Sequence, residues 1–176
     1  MIVMLGPVGA GKSVQANILV ENYGFSWVST GELLRKTTDP KIRELLHSGK
    51  LVDDDTVKRL ISEAIAKIPQ ETEVIIDGFP RRISQAEWLE SMQANLKRTV
   101  DHVLHLTLNE ETAIQRMSDR GRHDDSAKAI AQRNKTYMEQ VLPVVSFYKD
   151  RKVLHEIDGS GTVEQVAQQI KDALKL

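Results

Sequence analysis

The chain opens MIVMLGPVGAGKSVQ (residues 1–15), and the rest of the sequence is read outward from this stretch. Residues 2–5 are a short apolar run, the pattern of a buried strand. Directly behind it, GPVGAGKS (6–13) spaces a glycine, four residues, a second glycine, a lysine and a serine. That is the phosphate-loop pattern, and its residue types follow from what the loop must do. Glycines let the backbone turn with positive φ and approach a ligand without Cβ clashes. Successive N–H groups then form an anion nest, to which the helix that follows adds its positive end. Gly6, Gly9, Ala10, Gly11, Lys12, Ser13 and Val14 are therefore candidate contacts for a nucleoside triphosphate. Lys12 reaches the β- and γ-phosphates, and the Ser13 hydroxyl is offered to Mg²⁺.

Beyond the loop, short β-type runs alternate with amphipathic segments. Strands are expected at 2–5, 26–28, 73–77, 102–107 and 153–157. The segment 55–67 places Val57, Leu60, Ile61, Ala64 and Ile65 on one helical face. Residues 127–148 carry a longer helical stripe that includes Ala127, Ala131, Met138, Val141 and Tyr148, with a kink expected at Pro143. Thr162 with Gln165, and Ser84 with Glu87, have capping-box spacing. Alternating strands and helices imply an α/β fold of the P-loop NTPase type. Its five-stranded parallel sheet would be flanked by helices, in a single domain over residues 1–176.

Composition narrows the function classes. Lys and Arg total 24 and Asp and Glu 25 in 176 residues, a formal charge of −1, which argues against a general nucleic-acid binder. The absence of cysteine excludes disulfides and thiolate metal sites. No apolar stretch is long enough to span a membrane, and the first residues do not resemble a signal peptide. A cytoplasmic location is the expectation.

Charge is concentrated where chemistry would need it. After the third apolar run comes IIDGFPRRISQAEWL (75–89), in which Asp77 ends the strand, placed to hold a Mg²⁺ shell through water. Arg81 follows, and Arg116, Arg120, Arg122 and Arg133 fall within 18 residues. Guanidinium groups stay charged and bind phosphate oxygens bidentately. A converging set suits phosphoryl transfer, in which negative charge sits on the donor, the acceptor and the group in flight.

Taken together, these motifs resemble the adenylate kinase family of nucleoside monophosphate kinases. The resemblance runs through GPVGAGKSVQA (6–16), STGELLR (29–35), GKLVDDDTV (49–57), DGFPRRISQA (77–86), RGRHDD (120–125), Arg133 and TYMEQVLPVVSFY (136–148). It implies a small helical insertion for the monophosphate around residues 30–60 and a lid around residues 119–126. It implies that Thr30 lies near the acceptor base and Arg35 at its phosphate. Leu51 and Val52 would line the base pocket beside Gly78, Arg81 would bridge to the acceptor phosphate, and Gln85 would read the base edge. Arg116 and Gly161, the latter in the turn 159–162, would border the donor adenine. Arg120, Arg122 and Arg133 would surround the transferring group, with Asp124 and Asp125 orienting the lid arginines. Thr30 is equally placed to cap the helix behind it. Trp27 and Trp88 are read as packing residues, and His102 and His105 imply no metal site.

The chain departs from the family pattern in four places. Ser13-Val14 stands where the family has Gly-Thr. Only the 13 residues 36–48 separate Arg35 from Gly49, a contracted acceptor region. Only Gly121 separates Arg120 from Arg122, a very short lid. Asp53 stands where proline or threonine is usual. The resemblance implies transfer of the γ-phosphoryl group of ATP to a nucleoside monophosphate. The expected acceptor is AMP, the cofactor Mg²⁺ and the acting unit a monomer. A UMP/CMP kinase and a nucleotide-binding regulator with little turnover are the alternatives.

Overall fold

The computed structural model describes the backbone of residues 1–120 and 126–176, and their side chains apart from those at 110, 114 and 118–120. Strands β1 (Ile2–Leu5), β2 (Ser26–Ser29), β3 (Val74–Asp77), β4 (His102–Thr107) and β5 (Leu154–Asp158) form one sheet. Their order is β2-β3-β1-β4-β5 and every pairing is parallel. β1 is central and has neighbours reached by crossovers on both sides. The crevice beyond its carboxyl end is thus the switch point at which open α/β sheets bind ligands. The register Met4↔Asp77 and Leu5↔His105 brings the ends of β3 and β4 level with the start of the glycine loop.

Both faces of the sheet are covered, which is why β1 and β3 read as unbroken apolar runs rather than alternating ones. On one face, Val3, Leu5 and Ile76 pack against α4 (Asp54–Ile65), α5 (Ile83–Ser91) and α9 (Leu142–Asp150) through Ile61, Leu89 and Tyr148. On the other, Ile2, Met4 and Leu104 meet α1 (Lys12–Tyr23) and α10 (Val163–Leu174) through Leu19 and Ile170. Trp88 packs with the first cluster, edge-on to Phe79 at 5.8 Å, and Trp27 packs with the second. The remaining helices are α2 (Thr30–Arg35), α3 (Pro40–Ser48), α6 (Gln93–Leu96), α7 (Glu110–Arg120) and α8 (Ala127–Thr136).

Most local expectations hold at the level of caps and faces. Val57, Ile61 and Ile65 of α4 are buried, and the Thr162–Gln165 capping box opens α10. Asp53 is the N-cap of α4 and accepts from the Thr56 N–H at 2.9 Å, which gives this departure from the expected pattern a local role.

Two local readings need correction. Ser84 does not cap a helix: α5 already begins at Ile83, Arg82 is its extended N-cap residue, and the Ser84 hydroxyl donates to Asp54 Oδ2 at 3.0 Å instead. The segment 127–148 is not one helix with a kink at Pro143. A π-helical turn, Tyr137–Val141, separates α8 from α9, and the Leu142 N–H donates back to the Tyr137 carbonyl. Pro143 has no N–H to continue an α-helical ladder at this point. The wider turn changes the helical register, so Ala127, Ala131 and Met138 face solvent while Val141, Val144 and Tyr148 are buried.

Candidate active site

The loop between β1 and α1 wraps the ammonium of Lys12, which donates to the carbonyls of Gly6 at 2.8 Å and Pro7 at 2.7 Å. Gly6 serves this loop structurally. Its φ is +145°, and a Cβ there would lie 2.4 Å from the Leu106 carbonyl oxygen of β4. It does not line the cavity, whereas Gly9, Ala10, Gly11, Lys12, Ser13 and Val14 do. Ser13 Oγ lies 3.4 Å from Asp77 Oδ2, so a hydroxyl and a mostly buried carboxylate meet beside the loop.

From this point a cavity of about 740 Å³ runs in two directions. On one side, Gln15 Nε2 donates to the Val163 carbonyl at 2.9 Å and joins α1 to α10. The half-exposed side chains of Val14 and Val163 give this end apolar walls. Arg116 donates to the Gly159 carbonyl at 2.8 Å and to those of Ser160 and Gly161 at 3.4 Å each, so it fixes the turn expected to border the donor base.

The other end gathers Thr30, Arg35, Leu51, Val52, Gly78, Arg81 and Gln85, as the sequence led one to expect. Thr30 is not the cap of its helix: Ser29 caps α2 by accepting from the Glu32 N–H. The Thr30 hydroxyl is buried at the cavity wall with no hydrogen-bond partner among the described residues. A buried polar atom of this kind is costly unless something supplies the missing bond. Arg81 donates through Nε to the Gly78 carbonyl at 2.8 Å. Burial lowers its pKa, the Asp77 charge raises it in part and Arg133 lowers it further. Arg133, on α8, also lines the cavity and donates to the Leu46 carbonyl of α3 at 3.3 Å. The side chain of Arg120 is not described, and Arg122, His123, Asp124 and Asp125 lie outside the described residues.

A profile of the adenylate kinase family matches residues 4–153. The chain belongs to the adenylate kinase family. Similar members include the adenylate kinase of Thermobifida fusca, 36% identical with 99% of this chain and 97% of the relative covered. That of Prochlorococcus marinus strain SARG is 36% identical over 98% of this chain and 97% of the relative. That of Parvibaculum lavamentivorans is 36% identical over 98% and 91%.

One residue next to the site was not legible as part of it in the sequence. Asp54 lies in the run DDD (53–55), which looks like three solvated helix-start acids. The fold turns it toward α5, where its carboxylate accepts from Gln85 Nε2 at 2.8 Å, from Ser84 Oγ, and from Arg82 Nη1 in a short ion pair. Burial pushes the Asp54 carboxyl up, but the bonds from Gln85, Ser84 and Arg82 and the Arg82 charge outweigh it and hold the pKa below the ordinary carboxylate value. Only Ser84 and Gln85 hinted at this in the sequence, and each had been read in another role.

Proposed function

We propose that this chain transfers the γ-phosphoryl group of ATP to AMP, giving two ADP, with the triphosphate on the glycine loop and the monophosphate at the Thr30–Gln85 end. The observation that carries this reading is the continuity of the cavity. One end has the lysine-bearing loop, the other an unpartnered Thr30 hydroxyl and a buried amide, and Arg81 and Arg133 lie with them along its wall.

The acceptor phosphate is already ionised and attacks the γ-phosphorus directly, so no general base is required. A bond forms from an AMP oxygen to phosphorus as the bond to the β,γ-bridging oxygen breaks. Lys12 leaves the loop carbonyls for phosphate oxygens, Arg35 and Arg81 hold the acceptor phosphate, and Arg133 neutralises charge on the group in flight. Arg120 and Arg122 would complete the arginine set, as the family resemblance implies. Arg116 acts through the turn it holds at 159–161, and Val14 and Gly161 flank the donor base.

Mg²⁺ fits the donors available: Ser13 and Asp77 offer only hard oxygen atoms, side by side, and this ion takes few protein ligands when phosphates supply the rest. When bound, it would neutralise charge on the β- and γ-phosphates. Ser13→Gly is expected to raise the Mg²⁺ concentration needed for half-maximal rate while leaving measurable activity, because related enzymes have glycine there. A magnesium titration of the initial rate checks this; abolished activity with intact ATP binding would give Ser13 another role.

The assay that tests the whole reading couples ADP formation to a readout with ATP and AMP, CMP, UMP or GMP in turn. AMP is expected to be the best acceptor, and equal or faster turnover of CMP or UMP would overturn the assignment. An amide both donates and accepts, as the N6 and N1 edge of adenine requires. Gln85→Ala should therefore narrow the preference for AMP by about 1–3 kcal/mol, the scale of a polar group left unpaired. We further infer a cytoplasmic monomer, since one chain furnishes both ends of the cavity; no described helix is long and apolar enough to cross a membrane.

A further inference from the structure

We propose that Asp54 determines acceptor specificity by positioning: its carboxylate fixes the Gln85 side-chain amide in the orientation that accepts adenine and rejects a 6-oxopurine. The inference rests on the reading of Gln85 as the residue that meets the acceptor base.

Gln85 is buried in the first turn of α5, and both ends of its amide are engaged. Nε2 donates to Asp54 Oδ1 at 2.8 Å, and Oε1 accepts from the Arg81 backbone N–H at 2.7 Å. Which way a glutamine amide points is ordinarily settled by its neighbours. Here both neighbours have a single polarity. An ionised carboxylate only accepts, and a backbone N–H only donates. Turning the amide over would place oxygen against the carboxylate and NH₂ against N–H, so two good bonds would become two repulsive contacts.

The lock leaves capacity for a ligand. The amide nitrogen keeps one N–H and the oxygen one lone pair, and Gln85 lines the acceptor end of the cavity. Adenine presents an acceptor at N1 and a donor at N6, which match that remainder. A 6-oxopurine presents a donor at N1 and an acceptor at O6, which match only the reversed amide. Asp54 is itself immobilised by Arg82 and Ser84 and by its place in the first turn of α4, so it cannot turn away to let the amide reverse. Asp54 thus doubles the hold of the Arg81 N–H on the orientation that suits adenine, and without it a single backbone bond opposes reversal.

The test compares kcat/KM for AMP and for IMP, which reverses the adenine edge and adds no other group. Wild type should favour AMP by about 100-fold or more, as expected of a site whose buried polar groups would be left mispaired. Asp54→Asn, and separately Asp54→Ser, offer Gln85 a partner that can donate or accept, and each should shrink the ratio about tenfold or more. A general loss of packing would lower both rates and leave the ratio alone. If Gln85→Ala collapses the ratio while both Asp54 variants keep the wild-type value, the role of Asp54 is refuted and the base contact stands. If Gln85→Ala also keeps it, the reading of Gln85 itself fails. Wild-type protein gives a readout that needs no variant. The Gln85 side-chain amide signals in a ¹⁵N-correlated spectrum should be displaced and slow to exchange, and signals at free-glutamine positions with fast exchange would overturn the lock.

Discussion

Lys12→Met is expected to lower kcat roughly 10³-fold without unfolding the protein, the order seen when one preorganised charge partner of a phosphoryl group is removed. The expectation follows from where the ammonium sits. It is enclosed by the loop and satisfied by the Gly6 and Pro7 carbonyls, so it already occupies the concave side of the anion nest. A triphosphate entering that nest offers the ammonium charged oxygens in place of neutral carbonyls, and the exchange grows more favourable as charge accumulates in the transition state. Methionine keeps the length of the stem and removes the charge. The carbonyls lose a partner at a cost of about 1 kcal/mol, so the melting temperature should move little. Initial rates at saturating ATP and AMP, with a thermal melt beside them, check both halves. A loss smaller than tenfold would mean the glycine loop and arginines suffice, and that Lys12 is mainly a structural brace of the loop.

A residue's role is legible in the sequence where its partner is local. The strands, the loop and the Thr162–Gln165 cap are set by neighbours along the chain or by burial on both faces, and their patterns were visible. Thr30, Arg35, Arg81 and Gln85 were visible as candidates because the family motifs carry them, and the fold brings all four to one cavity end. What could not be read were partnerships between motifs. Asp54 and Gln85 are 31 positions apart, and nothing in DDD says which acid faces α5. Ser84 has the spacing of a cap, but Asp54 supplies a better partner from another helix. Ser29 outcompeted Thr30 as the α2 cap because it sits one residue earlier with extended backbone, a choice between adjacent hydroxyls that spacing alone leaves open. The π-turn depends on how Pro143 meets a packed helix pair, so the apolar stripe predicted with one uniform period slipped across it.

Gly49 holds α3 in place against α8. Gly49 ends α3 with φ +70°, and its N–H donates to the Leu45 and Leu46 carbonyls. A Cβ here would lie 2.5 Å from the Ala129 carbonyl oxygen and 3.1 Å from its Cα, both backbone atoms of α8. Helix α3 therefore rests directly on the helix that carries Arg133, and the bond from Arg133 to the Leu46 carbonyl crosses the same junction. Gly49→Ala adds left-handed strain and a backbone clash that neither helix can relieve without parting, for a loss of about 3 kcal/mol. Gly24→Ala is the control: its φ is +69°, but nothing lies within 4 Å of the added carbon, so it should cost only the strain, about 1 kcal/mol. Urea unfolding of the two variants isolates the junction as their difference. The KM for AMP should rise in Gly49→Ala more than the KM for ATP, because the parted helices carry Leu46, Gly49 and Arg133 at the proposed acceptor end of the cavity. If the two variants lose equal stability and the AMP KM is unchanged, α3 does not depend on α8 and must be held by its packing on α2 instead.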